Sequence, residues 1–558
     1  MGRYGTCGSK EHFDLAVQLI HLLIKLDVPA VQLSANYDAA FHVAKHSPCA
    51  GKVAGKAAAK ASGGIDRTKL PEPGPTPRLT LPAPRRFTLP SGARLLVVER
   101  HTLPMVAVAV VWPRGAMFDP VGREGLATLT AALLDEGTTG RGALALATTL
   151  QGLGTSIESG AGWDTSAVSM VTLRKNLDTS MSLLAEVALQ PAFAPVEFER
   201  VKAEQIASVQ QRKDSAQAVA SEQLLGAVYG AGQRLGVALS GTEASLGSIQ
   251  RDDVVRFHQG LRLDQCVVIV AGDVEAEAMR ALLERHFGAA KLRPAATPAQ
   301  VTAGGSLPAP RRLVIDKPGA PQSEVRLGLP GPPRSSPDWL PLVVMNEILG
   351  GGDFSNRLNL NLREAHAFAY GASSMFGFHK AGGAFLVATA TKTEVTGPAL
   401  REALGELERI RGEAVHAEEV RFAKDSLQRS MARRFETLQD VVFELAANEV
   451  FGLPEDFFAT FPARVEAITD GDILRVARQY LDPAQLSIVI VGDAAALSLQ
   501  LGALTPGAPG RMSAGRFEGL PQRTPESTPE PTPPMRPSGM PGTAAPGRPP
   551  PIPSPAAR

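Results

Sequence analysis

Imidazoles and thiols at helical spacing are the side chains best suited to holding a transition metal, and His42, His46 and Cys49 fall where they could share one helix face. No carboxylate or second cluster supports that set, which makes it a poor metal site. The three cysteines, Cys7, Cys49 and Cys266, are too few and too scattered for a disulfide framework or a paired-cysteine zinc site. Cys266 opens the strand-like run CVVIVAGD, where a thiol reads as a small buried apolar group. The glycine run 350–352 is not a phosphate loop, because it follows a helical pattern and no Lys-Ser/Thr comes after it. It suits a tight turn that lets another chain approach the backbone.

A further stretch has the outline of a site without its chemistry. In GREGLATLTAALLDEGTTG (122–140), Leu126, Leu129, Leu133 and Leu134 form one stripe of a helix, while Thr128, Ala131, Ala132 and Asp135 occupy the opposite face. None of the ten histidines lies between His101 and His258, so no imidazole pair can form there.

The elements around these residues follow from composition and periodicity. The chain has 558 residues, 44% of them hydrophobic, and a formal charge of +1 with Lys and Arg scattered among acids, so nothing calls for nucleic acid or an anionic membrane. No run of eighteen apolar residues exists, and no transmembrane segment is expected. Residues 1–83 read as an N-terminal extension and an Ala/Lys/Gly/Pro-rich tether, 292–310 as an interdomain linker, and 506–558 as a Pro-rich tail expected to be disordered. The stretch LAVQLIHLLIKL (15–26) has the apolarity of an export signal, but His21 and Lys25 interrupt it and Glu11 and Asp14 precede it.

What remains, 84–291 and 311–505, repeats one plan. Each half opens with strands around a short polar turn and closes on a β-branched run, Gly-Asp and a helix; Asp273 and Asp493 lie 220 positions apart. Alternation such as VAVAVV predicts a largely antiparallel sheet, and helical patterns fill 143–153, 178–188, 196–230, 338–349, 397–412 and 416–436. The predicted fold is α+β: two homologous units, each a sheet covered by helices on one face.

A duplicated unit of this kind resembles the insulinase/pitrilysin family of inverted-motif zinc peptidases, whose two halves face each other like a clam. The resemblance covers about residues 84–505 and is most specific in LGGGDFSNRLNLNLREAHAFAYGASS (349–374). There a glycine-rich turn, a serine and Arg-Leu, Leu-Arg-Glu and Ala-Tyr follow in order, the tyrosine seven positions past the arginine. His366 and Ala367 depart from the family's glycine-rich approach to that tyrosine.

The family's other signature, His-x-x-Glu-His, belongs on the helix of 122–140, where two imidazoles bind zinc and the glutamate activates water. Aligned there, the histidine positions are Thr128 and Ala132 and the glutamate is Ala131; the third ligand falls at or near Ser208, with Glu204 the nearest acid. Neither Thr nor Ala can replace a neutral imidazole at zinc, and Ala131 cannot take a proton. In peptide-cutting members, an arginine and a tyrosine of the second half hold the substrate carbonyl, and Arg363 and Tyr370 match them. Taken alone, Arg363 would serve as well in an ion pair with Glu364 or as a helix cap, and Tyr370 as a core strand residue with its hydroxyl satisfied.

The resemblance implies a subunit with no cofactor of its own, completing a zinc-bearing relative in a heterodimer that grips extended peptides; some bacterial members divide the site this way. The alternative it offers is a non-enzymatic scaffold in a larger complex. Members with such pairings are often exported, which points to the periplasm or cell envelope, while the N-terminus leaves the cytoplasm open.

Overall fold

The computed structural model describes Gly74, residues 83–288 except 231, 308–501 except 353, and a strand at 513–516. Apart from Gly74, the N-terminal extension up to residue 82, nearly all of the 292–310 linker and most of the tail lie outside the described residues. So do His42, His46 and Cys49.

Runs rich in Val, Ile and Ala form the strands, because branched side chains pack on a pleated surface. The first half contains β1 (Arg85–Thr88), β2 (Arg94–Glu99), β3 (Met105–Trp112), the two-residue strands β4 (Gly137–Thr138) and β5 (Arg141–Gly142), β6 (Ser156–Ala161), β7 (Ser166–Leu173) and β8 (Val267–Gly272). The second contains β9 (Arg312–Asp316), β10 (Gln322–Gly331), β11 (Ala369–Phe378), β12 (Gly383–Lys392) and β13 (Ser487–Gly492); β14 (Ser513–Arg516) follows. Two six-stranded sheets result, ordered β1-β2-β8-β3-β7-β6 and β11-β12-β10-β13-β9-β14. Five strands of each correspond one to one, β2-β8-β3-β7-β6 matching β9-β13-β10-β12-β11. Pairing is antiparallel apart from β2·β8, β9·β13 and β9·β14. The fold is α+β, with two copies of one strand order.

Strand β14 lies within the stretch read as a Pro-rich tail. Residues 510–520 contain no proline, so their backbone can donate to a ladder, and β9 offers them an open edge.

The helices that matter for the site are α1 (Leu126–Ala132), α2 (Pro195–Arg212), α3 (Ala216–Tyr229), α4 (Trp339–Leu349), α5 (Thr396–Gly412), α6 (Ala417–Arg433), α7 (Leu438–Val450) and α8 (Phe457–Glu466). The helical pattern of 196–230 divides at Lys213–Ser215, where the Ser215 hydroxyl accepts from the amide of Ala218 at 3.3 Å and restarts the helix as α3.

That break sends α3 across to the other half. Each sheet has its own helices on one face, and a helix of the opposite half lies against the other. In the first sheet Leu95, Val97, Val106, Val108, Val110, Val268 and Val270 face its own helices. The alternate residues Leu96, Val98, Ala107, Ala109, Val111, Val267, Ile269 and Ala271 join the core of the second half. There α7 lies on β3 and β8. Reciprocally, α3 lies on β10 and β13, and its Ala220, Leu224, Ala227 and Val228 pack with Ile315, Val489 and Val491. Approach is closest at Gly328 of β10, where an added Cβ would sit 2.9 Å from Val228 and 3.0 Å from Leu224. Gly328→Val is therefore expected to lower the unfolding free energy by about 1–3 kcal/mol, as overpacking does, measured by urea denaturation. An unchanged midpoint would mean that α3 is not seated as described.

Candidate functional site: an altered zinc helix and an intact arginine–tyrosine segment

Helix α1 is held at its N-terminus by a buried charge. The Asp119 carboxylate accepts from the amides of Gly125 at 2.9 Å and Ala127 at 2.8 Å. It also pairs with Arg234 at 3.0 Å, their side chains 0% and 8% exposed. Burial pushes the Asp119 carboxyl up to about 6, against the pull of Arg234 and the two amides. Arg234 donates its other hydrogens to the carbonyls of Ala116, Val237, Ala238 and Leu239, so the ion pair ties the helix start to the 237–239 segment. Removing one partner of such a pair typically costs about 3–5 kcal/mol, because the other charge stays buried.

The exposed part of α1 carries no metal chemistry. The Thr128 hydroxyl donates to the Gly125 carbonyl at 2.9 Å and accepts from Gln205 Nε2 of α2 at 2.8 Å. Gln205 also donates to the Ser240 carbonyl at 3.0 Å. Ala131 is buried and Ala132 exposed. The side chain of α2 that reaches Thr128 is thus Gln205. Ser208, the position expected to face it, accepts instead from Arg212 at 3.4 Å, and Glu204 pairs with Arg200 at 2.9 Å. The difference is less than one helical turn, enough to change which side chain points at α1. Thr128 and Gln205 are mutually satisfied neutral groups and do not fit zinc, which takes imidazoles, thiolates or carboxylates. Among the described residues no group of three or more His, Cys, Asp or Glu could hold a metal.

The second half shows the opposite pattern. Helix α4 ends in the glycine run, where a Cβ on Gly350 would meet the Ser374 amide at 2.6 Å and one on Gly352, at φ +60°, would meet the Glu347 carboxylate at 2.3 Å. The segment after it is pinned by four side chains. Asn356 donates to the Gly351 carbonyl at 3.0 Å and accepts from the Asn359 amide at 2.9 Å. Arg357, buried, makes a two-pronged pair with Glu419 of α6 at 2.7 and 2.8 Å. Asn359 accepts from the Ala372 amide of β11 at 2.9 Å. Asn361 donates to Glu402 at 3.0 Å and to the buried Glu406 at 2.6 Å, both on α5. The sequence reading named none of these anchors; the signal for them was polar residues at 356, 357, 359 and 361 alternating with leucines.

Between those anchors the backbone is irregular in three successive ways. Leu360–Ala365 is a π-helical turn, Ala367 sits at φ +52°, and β11 is bulged between Ala369 and Ala372. Each is a local cost, and each redirects a side chain. Arg363 leaves the π-turn and Tyr370 leaves the bulge, their approach measured by 5.2 Å from the guanidinium carbon to the tyrosine ring centre. Phe354 from the glycine turn lies 4.3 Å from the same guanidinium. Arg363 contacts Glu364 at 3.3 Å, yet its Nη1 is buried with no hydrogen-bond partner among the described residues. Tyr370 is 86% exposed on an edge strand and so is no core residue. The segment thus presents an incompletely satisfied cation and an open phenol together.

The model of the insulinase peptidases (family M16) matches residues 94–243, and that of the M16 inactive domain matches 248–427. Between them they span more than half of the chain. It belongs to the insulinase family. An uncharacterized zinc protease of Mycobacterium tuberculosis is 25% identical over 414 residues, covering 74% of this chain and 94% of the relative. A non-peptidase homolog of Helicobacter pylori is 24% identical over 399 residues, 71% and 90% of the two chains. Among solved structures, a peptidase M16 inactive domain from Pseudomonas fluorescens matches with a TM-score of 0.67 and 25% identity over 74% of this chain and 98% of that one. A protease from Helicobacter pylori shares the fold with a TM-score of 0.68 at 20% identity, over 74% of this chain and all of that one.

This insulinase-family chain lacks the zinc motif, and its arginine–tyrosine segment is held in a strained form. Two outcomes follow. The purified chain is expected to carry no stoichiometric zinc by metal analysis after dialysis; one firmly bound zinc per chain, lost on changing Thr128 or Gln205, would contradict the site as described. Ala367→Gly removes the left-handed penalty at φ +52° and is expected to raise stability by about 0.5–1 kcal/mol in urea denaturation. A comparable loss of stability would show that Ala367 is not strained.

Proposed function

We propose that this chain is the non-zinc subunit of a two-chain insulinase-type peptidase, supplying Arg363 and Tyr370 to the active site of a zinc-bearing relative. The observation that carries the reading is the contrast within one molecule. Thr128 and Gln205 have closed the metal position with a neutral hydrogen bond. A half-buried Arg363 and an exposed Tyr370 are brought together around a π-turn, a left-handed alanine and a β-bulge. Backbone irregularity costs stability and persists where something depends on it. The guanidinium and the phenol are donors suited to the carbonyl oxygen of a scissile peptide as it gains charge, and β11, an edge strand, can take an extended peptide as an added strand. The zinc and the water-activating carboxylate belong to the partner in this scheme.

The test is reconstitution. The chain mixed with a relative bearing His-x-x-Glu-His is expected to cleave extended peptides that neither cleaves alone. Arg363→Ala and Tyr370→Phe should each lower kcat, by up to about 10²-fold, while co-purification of the pair is unchanged. Full activity in both variants would remove the catalytic reading. Stable association without any activity would favour a scaffold, in which the same surface serves assembly alone.

A further inference from the structure

Outside the arginine–tyrosine segment, Arg334 and Arg464 form a second concentration of charge that nothing among the described residues neutralises. Arg334 follows β10 in the turn GPPRSSPDW and lays its guanidinium on an aromatic floor. Its central carbon is 3.7 Å from the centre of the Trp339 ring, 5.5 Å from Phe457 and 5.9 Å from Phe451. Arg464 of α8 reaches the same Phe457 ring, also at 5.5 Å. Among the described residues, neither guanidinium has a hydrogen bond or an ion pair. Three of the acids nearby in sequence are engaged elsewhere. Glu444 takes Arg434 at 2.6 and 2.7 Å. Glu449 is held between Arg86 and Arg94, and Glu455 pairs with Arg86 at 3.1 Å. Burial, and then repulsion from Arg464 and Arg434, brings the Arg334 guanidinium down to about 10.

Half-burying one cation and setting a second of the same sign against the same ring is unfavourable without a counter-charge. Aromatic faces offset part of the cost but leave the forked donors of the guanidinium unused. A tetrahedral oxyanion supplies what is missing, since its oxygens offer acceptors for two guanidiniums at once. We propose that Arg334 and Arg464 form a binding site for a phosphate-type oxyanion beside Phe457, in the turn between β10 and α4. The Arg334 amide donates to the His379 carbonyl at 2.9 Å, in the turn joining β11 and β12, so this site lies at the far end of the strand that carries Tyr370. It stands independently of the peptidase reading.

The full chain titrated with inorganic phosphate at constant ionic strength, by calorimetry and thermal unfolding, tests this. A saturable heat and a saturable rise in melting temperature are expected. Arg464 is exposed, so Arg464→Gln should fold as the parent does and bind phosphate at least tenfold more weakly; Arg334→Gln should do the same. Arg285→Gln, which removes a distant surface arginine paired with Asp178, should bind as the parent does. O-phosphoserine titrated in parallel separates a free ion from a phosphate ester, and tighter binding of either supports the site. A shift that does not saturate, equal loss in Arg285→Gln, or parent-like affinity in Arg464→Gln would overturn it. Should Arg334→Gln fail to fold, Arg464→Gln decides alone.

Discussion

A sheet whose central strands are apolar on both faces must have both faces covered. In the first sheet, Val106, Val108 and Val110 point one way and Ala107, Ala109 and Val111 the other, all buried. One half's own helices can serve only one of those faces. The other is covered by α7 of the second half, and α3 returns the favour to the second sheet. Small residues make the exchange possible: alanines on β3 and a glycine on β10 let a helix axis come close to a strand. Glu449 near the end of α7, receiving Arg86 and Arg94, fixes the same junction with charge. The rest of the molecule is arranged around this mutual covering.

Both ends of the candidate site hang on that frame through buried polar contacts. The start of α1 depends on Asp119 and Arg234, and Arg234 in turn stacks on Trp163, whose ring lies 5.8 Å from that of His379 in the second half. His379 meets Asp164 at 3.3 Å, and the Lys380 amide donates to the same carboxylate at 3.1 Å. Helix α1 and the β11–β12 turn are therefore joined by a short chain of polar and stacked groups. Such chains hold geometry well when every member is satisfied.

Much of this was legible in the amino-acid order. The leucine stripe of 126–134 is buried as its spacing requires, and five of the six helical patterns match helices to within a few residues. The repeat was visible as Gly-Asp after a β-branched run, because both copies close a central strand. Three things were not legible. Whether 196–230 is one helix or two turned on a serine cap, and only the second helix's apolar partners, distant in sequence, show why it must break. Gln205 rather than Ser208 faces Thr128, because a long separation in sequence does not fix rotation about a helix axis to a single residue. The asparagines at 356, 359 and 361 read as ordinary polar residues until their partners in the glycine turn, on β11 and on α5 are known.

The crossed helices also bear on how the two halves are held together. Each lends the other a helix it cannot replace, and the lent helices are seated by packing and ion pairs, not by the covalent path between Gly288 and Pro308. That path is redundant as a fastener. Its length and composition are free to drift so long as it spans the gap, and a chain severed there would persist as a clasped pair of fragments. A protein built this way could descend into two separate genes, or arise from them, without altering a single contact in its core.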